Sequence, residues 1–198
     1  DAGMAFSPDG RTLAVGITTE VILLNVASGE LIQSLPVHSR DVAFLPDGER
    51  IIYMNNRDQV GILDIPTGET IQIINSGYGR SFILNPDGSK LVIPDGWDEL
   101  NRQSVTQIWD VVNGQLLYSF SSSKTTIGRL VFNPDGSHLA CVFRDAVSIY
   151  DLRGEQVIKT FEYSDDVSTM TASPVSIAEG YTLAVGYDNG PVWLWDAS

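Results

Sequence analysis

Apolar and polar residues alternate along this chain in short runs, and the runs recur. Val42 and Phe44 flank Ala43, Phe82 and Leu84 flank Ile83, and Leu130 and Phe132 flank Val131. A period of two puts the larger residues of each trio on one face of a strand, and the apolar residue between them shows that the other face is covered too. A second run follows each trio, as in Thr12-Leu13-Ala14-Val15-Gly16, and a third ends on Asp or Asn, as in Gln107-Ile108-Trp109-Asp110. A fourth follows a Gly turn, as in Gln115-Leu116-Leu117-Tyr118-Ser119-Phe120. The pattern predicts four short antiparallel strands per unit and no helical stretch.

The punctuation between runs is as regular as the runs. Pro-Asp-Gly occurs at 8–10, 46–48, 86–88 and 134–136, with a degenerate fifth copy at Ser173-Pro174, so the prolines step by 38, 40, 48 and 40 residues. Proline presets φ and glycine accepts the positive φ that closes a hairpin. The second landmark, Asn25, Asp64, Asp110, Asp151 or Asp196, trails its proline by 17, 18, 24, 17 and 22 residues. Two landmarks in near-constant phase over five copies define a repeat. Short antiparallel strands in fours, every roughly 40–45 residues, are the signature of propeller blades, which bury their faces by stacking on one another.

On these residues the sequence resembles the WD-repeat β-propeller family, in a divergent, bacterial-type form. The carrying segments are Ala5-Phe6-Ser7-Pro8-Asp9-Gly10, Ile108-Trp109-Asp110 and Asn189-Gly190-Pro191-Val192-Trp193-Leu194-Trp195-Asp196, and the resemblance covers essentially the whole chain. It implies an all-β propeller and a role as a protein–protein interaction scaffold. The chain departs from the family at the Gly-His pair, whose place eleven residues before each proline holds Leu35, Asn75, Ser123 and Tyr163. Trp is kept at the third-strand end in two copies, Trp109 and Trp195, with Leu24, Leu63 and Tyr150 elsewhere. The family's polar network is therefore replaced by apolar packing, and Trp193 and Trp195, two apart, are expected in the core. Blades are expected over about 1–36, 37–76, 77–121, 122–163 and 164–198, the last without its fourth strand. Seven blades at this period need roughly 300 residues, so the chain reads as part of a larger ring.

Composition narrows the function. The 198 residues are 43% apolar and 19% charged, with a net charge of −13. An acidic surface repels phosphate backbones and anionic lipid heads, so neither nucleic acid nor a membrane surface is an expected partner, and no run approaches the ~20 apolar residues of a spanning helix. Cys141 is the sole cysteine, which excludes an internal disulfide and any multi-cysteine metal site. The start, Asp1-Ala2-Gly3-Met4, has neither the basic nor the apolar region of a signal peptide and reads as an excerpt or processed product. The compartment stays open, with the cytoplasm slightly favoured.

Candidate chemistry is sparse. His38 and His138 are the two histidines, no Ser-His-Asp constellation is indicated, and Gly77-Tyr78-Gly79 leads into a strand where a dinucleotide loop needs a helix. No cofactor is predicted and the chain is read as non-enzymatic. The third unit carries about seven extra residues in its second-to-third-strand hairpin, around Pro94-Asp95-Gly96-Trp97-Asp98-Glu99-Leu100. Trp97 and Leu100 among Asp98 and Glu99 suit a partner anchor with a polar rim; a tolerated surface insertion explains them as well. Asp95, Asp98 and Glu99 lack the spacing of a cation loop and read as solvated acids. Arg40 and Arg80 stand six residues before their prolines and Arg129 five, which places them as a basic ring at the channel mouth for a carboxylate or phosphate; surface pairing with Asp41, Asp165 or Asp166 is the alternative. The expected partner is a protein. The competing function is a propeller in a larger enzyme or sensor that gates or binds a small ligand.

Overall fold

The computed structural model describes residues 3–55, 57, 59–77, 79, 81–98, 103–120, 129–143, 146–154, 156–162, 167–173, 181–187, 190 and 192–197. These residues form strands and turns with no helix. The first blade comprises β1 (Met4–Phe6), β2 (Thr12–Gly16), β3 (Val21–Asn25) and β4 (Leu31–Leu35). The second comprises β5 (Asp41–Phe44), β6 (Arg50–Met54), β7 (Val60–Asp64) and β8 (Glu69–Ile74). The third has β9 (Ile83–Leu84), β10 (Lys90–Asp98), β11 (Gln103–Asp110) and β12 (Leu116–Phe120). The fourth has β13 (Arg129–Phe132), β14 (His138–Val142), β15 (Ala146–Asp151) and β16 (Gln156–Glu162). The fifth has β17 (Val167–Ala172), β18 (Thr182–Tyr187) and β19 (Val192–Asp196). Every sheet is a meander in chain order, with first strands of neighbouring sheets in contact at β1 and β5 and at β13 and β17. Five such sheets side by side are propeller blades.

In the first four blades the hairpin turn between the first two strands is dictated by its tetrapeptide. The glycine N–H donates back to the residue before proline, at 2.8 Å for Gly10 to Ser7 and 3.0 Å for Gly136 to Asn133. The glycines sit at φ of 69°, 70°, 71° and 71° at Gly10, Gly48, Gly88 and Gly136, a region that costs a side chain energy. Each aspartate carboxylate then accepts the N–H two residues on, as Asp87 does from Ser89 and Asp135 from Ser137, both at 2.8 Å.

Packing explains why both faces of a strand are apolar. Each of the four hydrophobic clusters draws on two consecutive blades. Ala14, Val21 and Leu23 of blade one meet Ile51, Tyr53 and Leu63 of blade two. Ile52, Met54 and Ile62 of blade two meet Phe82, Leu91 and Ile93 of blade three. Val92 and Ile108 then meet Leu139 and Cys141, and Ala140 and Ile149 meet Leu183 and Val185. Ile51 and Ile52, neighbours on one strand, thus serve opposite interfaces, and both are wholly buried. Polar side chains add bonds between blades, since Gln33 Nε2 donates to Ile65 O at 3.1 Å and Lys159 Nζ to Asp196 O at 3.1 Å.

The expected tryptophan core is half right. Trp195 stacks on Phe161 of blade four with ring centroids 4.6 Å apart, but Trp193 is 56% exposed, because β19 has no strand beyond it among the described residues. At Gly61 the glycine is required by approach and not by φ. A β-carbon there would lie 2.4 Å from the ring of Tyr53, whose hydroxyl is 2.9 Å from Thr70 Oγ1.

Two stability outcomes follow from this packing. Ile52→Ala should cost about 2–5 kcal/mol in denaturant unfolding, because the deleted atoms leave a cavity between blades two and three. Gly61→Ala should cost about 1–3 kcal/mol by overpacking against Tyr53, with Tyr53→Leu restoring part of the loss.

Candidate functional site

In a four-stranded meander the first and third turns lie at one end of the blade, and the middle hairpin and the link to the next blade lie at the other. The Pro-Asp-Gly turns and the turns after Asn25, Asp64, Asp110 and Asp151 therefore share one rim. That rim is acidic for reasons of turn chemistry. Asn25 Oδ1 accepts from the N–H groups of Ala27 and Ser28, Asp110 Oδ1 from Val112 and Asn113, and Asp151 Oδ1 from Arg153. The same bonding holds the carboxyls below their ordinary value of 3.8: the Ser7 hydroxyl at Asp9, Thr67 at Asp64, Ser89 at Asp87, Ser137 at Asp135 and the Arg153 amide at Asp151. At Asp47 burial pulls upward, but the bond from Arg50 and two backbone N–H groups outweigh it.

Of the residues singled out from the sequence, Arg40, Arg129, Trp97 and Asp98 lie toward the opposite rim. Arg40 is exposed immediately before β5, with its N–H donating to Met54 O at 2.8 Å and its carbonyl accepting from Gly3 N–H at 3.1 Å. That places it at the seam of blades one and two. Arg129 is exposed as the first residue of β13 and pairs with Val142, just as Asp41 pairs with Met54. Arg129 therefore occupies Asp41's place in its blade, one step inward of Arg40's. Arg80, Glu99 and Leu100 lie outside the described residues. Trp97 and Asp98 lie within β10, opposite Ser104 and Gln103, and their side chains are outside the description.

The extra residues of blade three do not form the loop expected from the sequence. β10 runs nine residues and β11 eight, against five each for β2 and β3, and they stay paired to Asp98 and Gln103 across a register shift between Ile93 and Gly96. The insertion is a two-stranded ribbon that continues the blade beyond the length of its neighbours. Alternation carries the ladder outward, where an irregular loop would leave backbone groups to water.

Asp41 is the group that sequence reading left as a mere ion-pair partner. Its carboxylate accepts the N–H of Val42 at 3.1 Å and, across the blade seam, that of Phe82 at 3.3 Å. Burial raises its pKa despite both bonds. The signal was available only from packing: the residue is unremarkable until Gly3 and blade three close over it, with Gly3 so near that a β-carbon would sit 2.6 Å from Asp41 Cα.

One neighbourhood has the ingredients of a catalytic triad. Ser137 Oγ lies 3.3 Å from His138 Nδ1, and Asp135 accepts the Ser137 N–H. The arrangement is a turn. A triad needs the carboxylate on the histidine's far nitrogen, whereas Asp135 bonds Ser137 and Asn133 Nδ2, the latter at 2.8 Å. Asn85, Asp87, Ser89 and Lys90 repeat the same bonding in blade three with lysine in place of histidine. No group of three or more His, Cys, Asp or Glu placed to hold a metal ion occurs among the described residues.

Known proteins place this geometry. No protein-family model matches the chain. The chain is 33% identical over 97 residues to an uncharacterized WD repeat-containing protein of Synechocystis sp., covering 46% of this chain and 28% of that protein. It is 29% identical over 129 residues to small ribosomal subunit protein RACK1y of Oryza sativa subsp. japonica, covering 63% of this chain and 36% of the relative. These matches support a divergent relation of the chain to WD-repeat proteins. Its matches span only about a third of the relatives' lengths. A chain of Kuenenia stuttgartiensis hydrazine synthase superposes on 98% of this chain and 64% of its own length, with a TM-score of 0.72 at 15% identity, which speaks for the fold alone.

Opposite pH signatures separate the two kinds of aspartate. The turn aspartates, with folded pKa values below 3.8, stabilise the fold above that pH and lose the contribution as pH falls through their folded values. Asp41 has the reverse sign, a penalty at neutral pH that fades as pH drops through its raised pKa. Asp41→Asn should therefore raise the thermal midpoint at pH 7, with the gain shrinking toward acid. Asp135→Asn should lower the midpoint at pH 7, with the difference vanishing toward acid.

Proposed function

We propose that this WD-repeat chain is a non-catalytic protein-interaction module that engages its partner through the rim holding the blade-three ribbon. The observation that carries the reading is the ribbon itself, a paired extension in one blade of a repeat whose other described blades keep short hairpins. A ladder-paired ribbon holds the backbone through Trp97 and Asp98 at lower ordering cost than a loop of the same length, and Glu99 and Leu100 follow them in sequence. Arg40 and Arg129, on the same rim, supply planar cationic forks for carboxylates of the partner, and Arg80 shares Arg40's spacing from its proline in the sequence. The relation to a small ribosomal subunit protein, a component of a larger assembly by name, supports the same general kind. The bonding of Ser137, His138 Nδ1 and Asp135 within one turn speaks against a hydrolytic triad at that place.

The test is affinity capture on the immobilised chain from a lysate of the source organism, repeated with variants. Trp97→Ala should weaken capture of the retained protein about 30-fold, the scale of an interface hot spot. The Arg40→Ala/Arg129→Ala pair should weaken it further and steepen no unfolding transition, since surface substitutions stay within about 0.5 kcal/mol. Early unfolding of these variants would make the residues structural, and turnover of an ester, lactone or peptide panel by the chain would favour the enzyme reading.

A further inference from the structure

Each four-stranded blade breaks the pairing of its fourth strand at the same place. Leu23 and Leu24 pair with Gln33 and Leu31, which leaves Ile32 as an extra residue; Ile71, Leu117 and Ile158 are the extra residues of β8, β12 and β16. Such a bulge interrupts the ladder and bends the strand, but makes no demand for an apolar side chain. Yet all four are Ile or Leu, and they are 53%, 55%, 44% and 46% exposed.

Blades two and three have a blade on each side, so the ends of the sequence do not set the exposure of Ile71 and Leu117. Further exposed apolar residues stand beside them: Ile73 and Leu116 in the same strands, and Val112 in the third turn of blade three. The surface is continuous, because the third turn of one blade lies against the fourth strand of the blade before it. Gln33 Nε2 donates to Ile65 O at 3.1 Å, and a β-carbon on Gly114 would lie 3.6 Å from Ile74 Cγ1. Exposed apolar groups thus run along the outer wall from blade one to blade three.

The charge in these segments has one sign. Residues 25–35, 64–74 and 110–120 hold Glu30, Asp64, Glu69 and Asp110 and no Lys, Arg or His. Glu30 and Glu69 are exposed, each two residues before its bulge. Arg50, whose charge reaches Asp64, is held by the Asp47 carboxylate at 2.7 Å. We propose that this outer wall docks a basic amphipathic helix of a partner protein, with its apolar stripe on Ile71, Leu116 and Leu117 and its Lys or Arg side chains beside Glu69 and Asp110. The bulges decide the form of the partner. An added strand needs an unbroken row of N–H and C=O groups, which every bulge interrupts, whereas a helix satisfies its own backbone and docks through side chains at i, i+3, i+4 and i+7. A second copy of the chain would set carboxylates against carboxylates. The wall borders the rim of the Pro-Asp-Gly turns, at the other end of the blades from the ribbon, so it stands or falls independently of the function proposed above.

The probe is a fluorophore-labelled 18-residue leucine–lysine peptide patterned for a helix, titrated with the 198-residue chain while anisotropy and circular dichroism are followed. Anisotropy should saturate and the peptide should gain helicity on binding. The Ile71→Lys/Leu117→Lys pair should weaken binding about tenfold or more. Ile71→Thr, which keeps a β-branched residue in the strand, should weaken it in the same direction with the thermal midpoint unchanged. Glu30→Gln/Glu69→Gln should weaken it about threefold and flatten its salt dependence. A peptide of the same composition with leucine and lysine alternating, patterned for a strand, should bind about tenfold more weakly. Absence of saturable binding, equal binding of the alternating peptide, or wild-type affinity in Ile71→Lys/Leu117→Lys overturns the assignment. So does a loss on Phe6→Lys or Leu194→Lys in place of the wall variants, which would put the peptide on the faces of blades one and five. Self-association of the chain that Ile71→Lys/Leu117→Lys abolishes would make a second copy the occupant and overturn it equally.

Discussion

Everything in this molecule depends on sheets that are apolar on both faces. A four-stranded sheet with Ile51 on one side and Ile52 on the other has no solvated face, so it reaches a folded state only between two neighbours. Hydrophobic burial therefore acts between blades, and hydrogen bonding acts within them. The ladders fix each sheet's register, while clusters that span two blades fix the order of the sheets. This division accounts for the tolerance of the chain toward loss of the family's polar network. With Leu35 buried in the interface of blades one and two, at the place where the family keeps its Gly-His pair, apolar contact takes over the linking role.

The same constraint leaves the two rims to function. Residues within the interfaces are fixed by packing, whereas much of the turns and hairpins at the blade ends, Asp9, Gly29 and Arg40 among them, is exposed. On one rim the aspartates are consumed by the turns they build, the carboxylates of Asp9, Asp47, Asp87 and Asp135 accepting from a neighbouring N–H, hydroxyl, side-chain amide or guanidinium. Their low pKa values are consequences of that local bonding. On the other rim the blade-three ribbon and the exposed Arg40 and Arg129 have no comparable turn to explain them. Asp41 lies between these cases, on the binding rim by position and in the blade seam by contact.

Much of the fold was legible because repeat and alternation are one-dimensional signals. The pairs Val42 and Phe44, or Leu130 and Phe132, announce a strand covered on both faces, and in the structure they face the preceding blade. The Pro-Asp-Gly copies announced turns whose glycines do adopt positive φ. What was not legible depended on what lies across a gap. Trp193 has the same pattern as Trp195, yet Trp195 stacks on Phe161 while Trp193 stays 56% exposed. The ribbon looked like a loop because Pro94, Asp95 and Gly96 are poor strand formers; the ladder resumes past them through a register shift. Arg129 seemed one residue out of phase with Arg40, and its strand register shows that it holds Asp41's position instead.

The claim that stability resides between blades is tested most directly by native-state hydrogen exchange on an interface variant. Ile62 belongs to blade two but is buried against blade three. In Ile62→Ala, the account predicts faster exchange in β10 of blade three as well as in β7, because the two sheets share one cluster. Faster exchange confined to β6, β7 and β8, with blade three as protected as before, would show that each sheet is stable by itself and would contradict it.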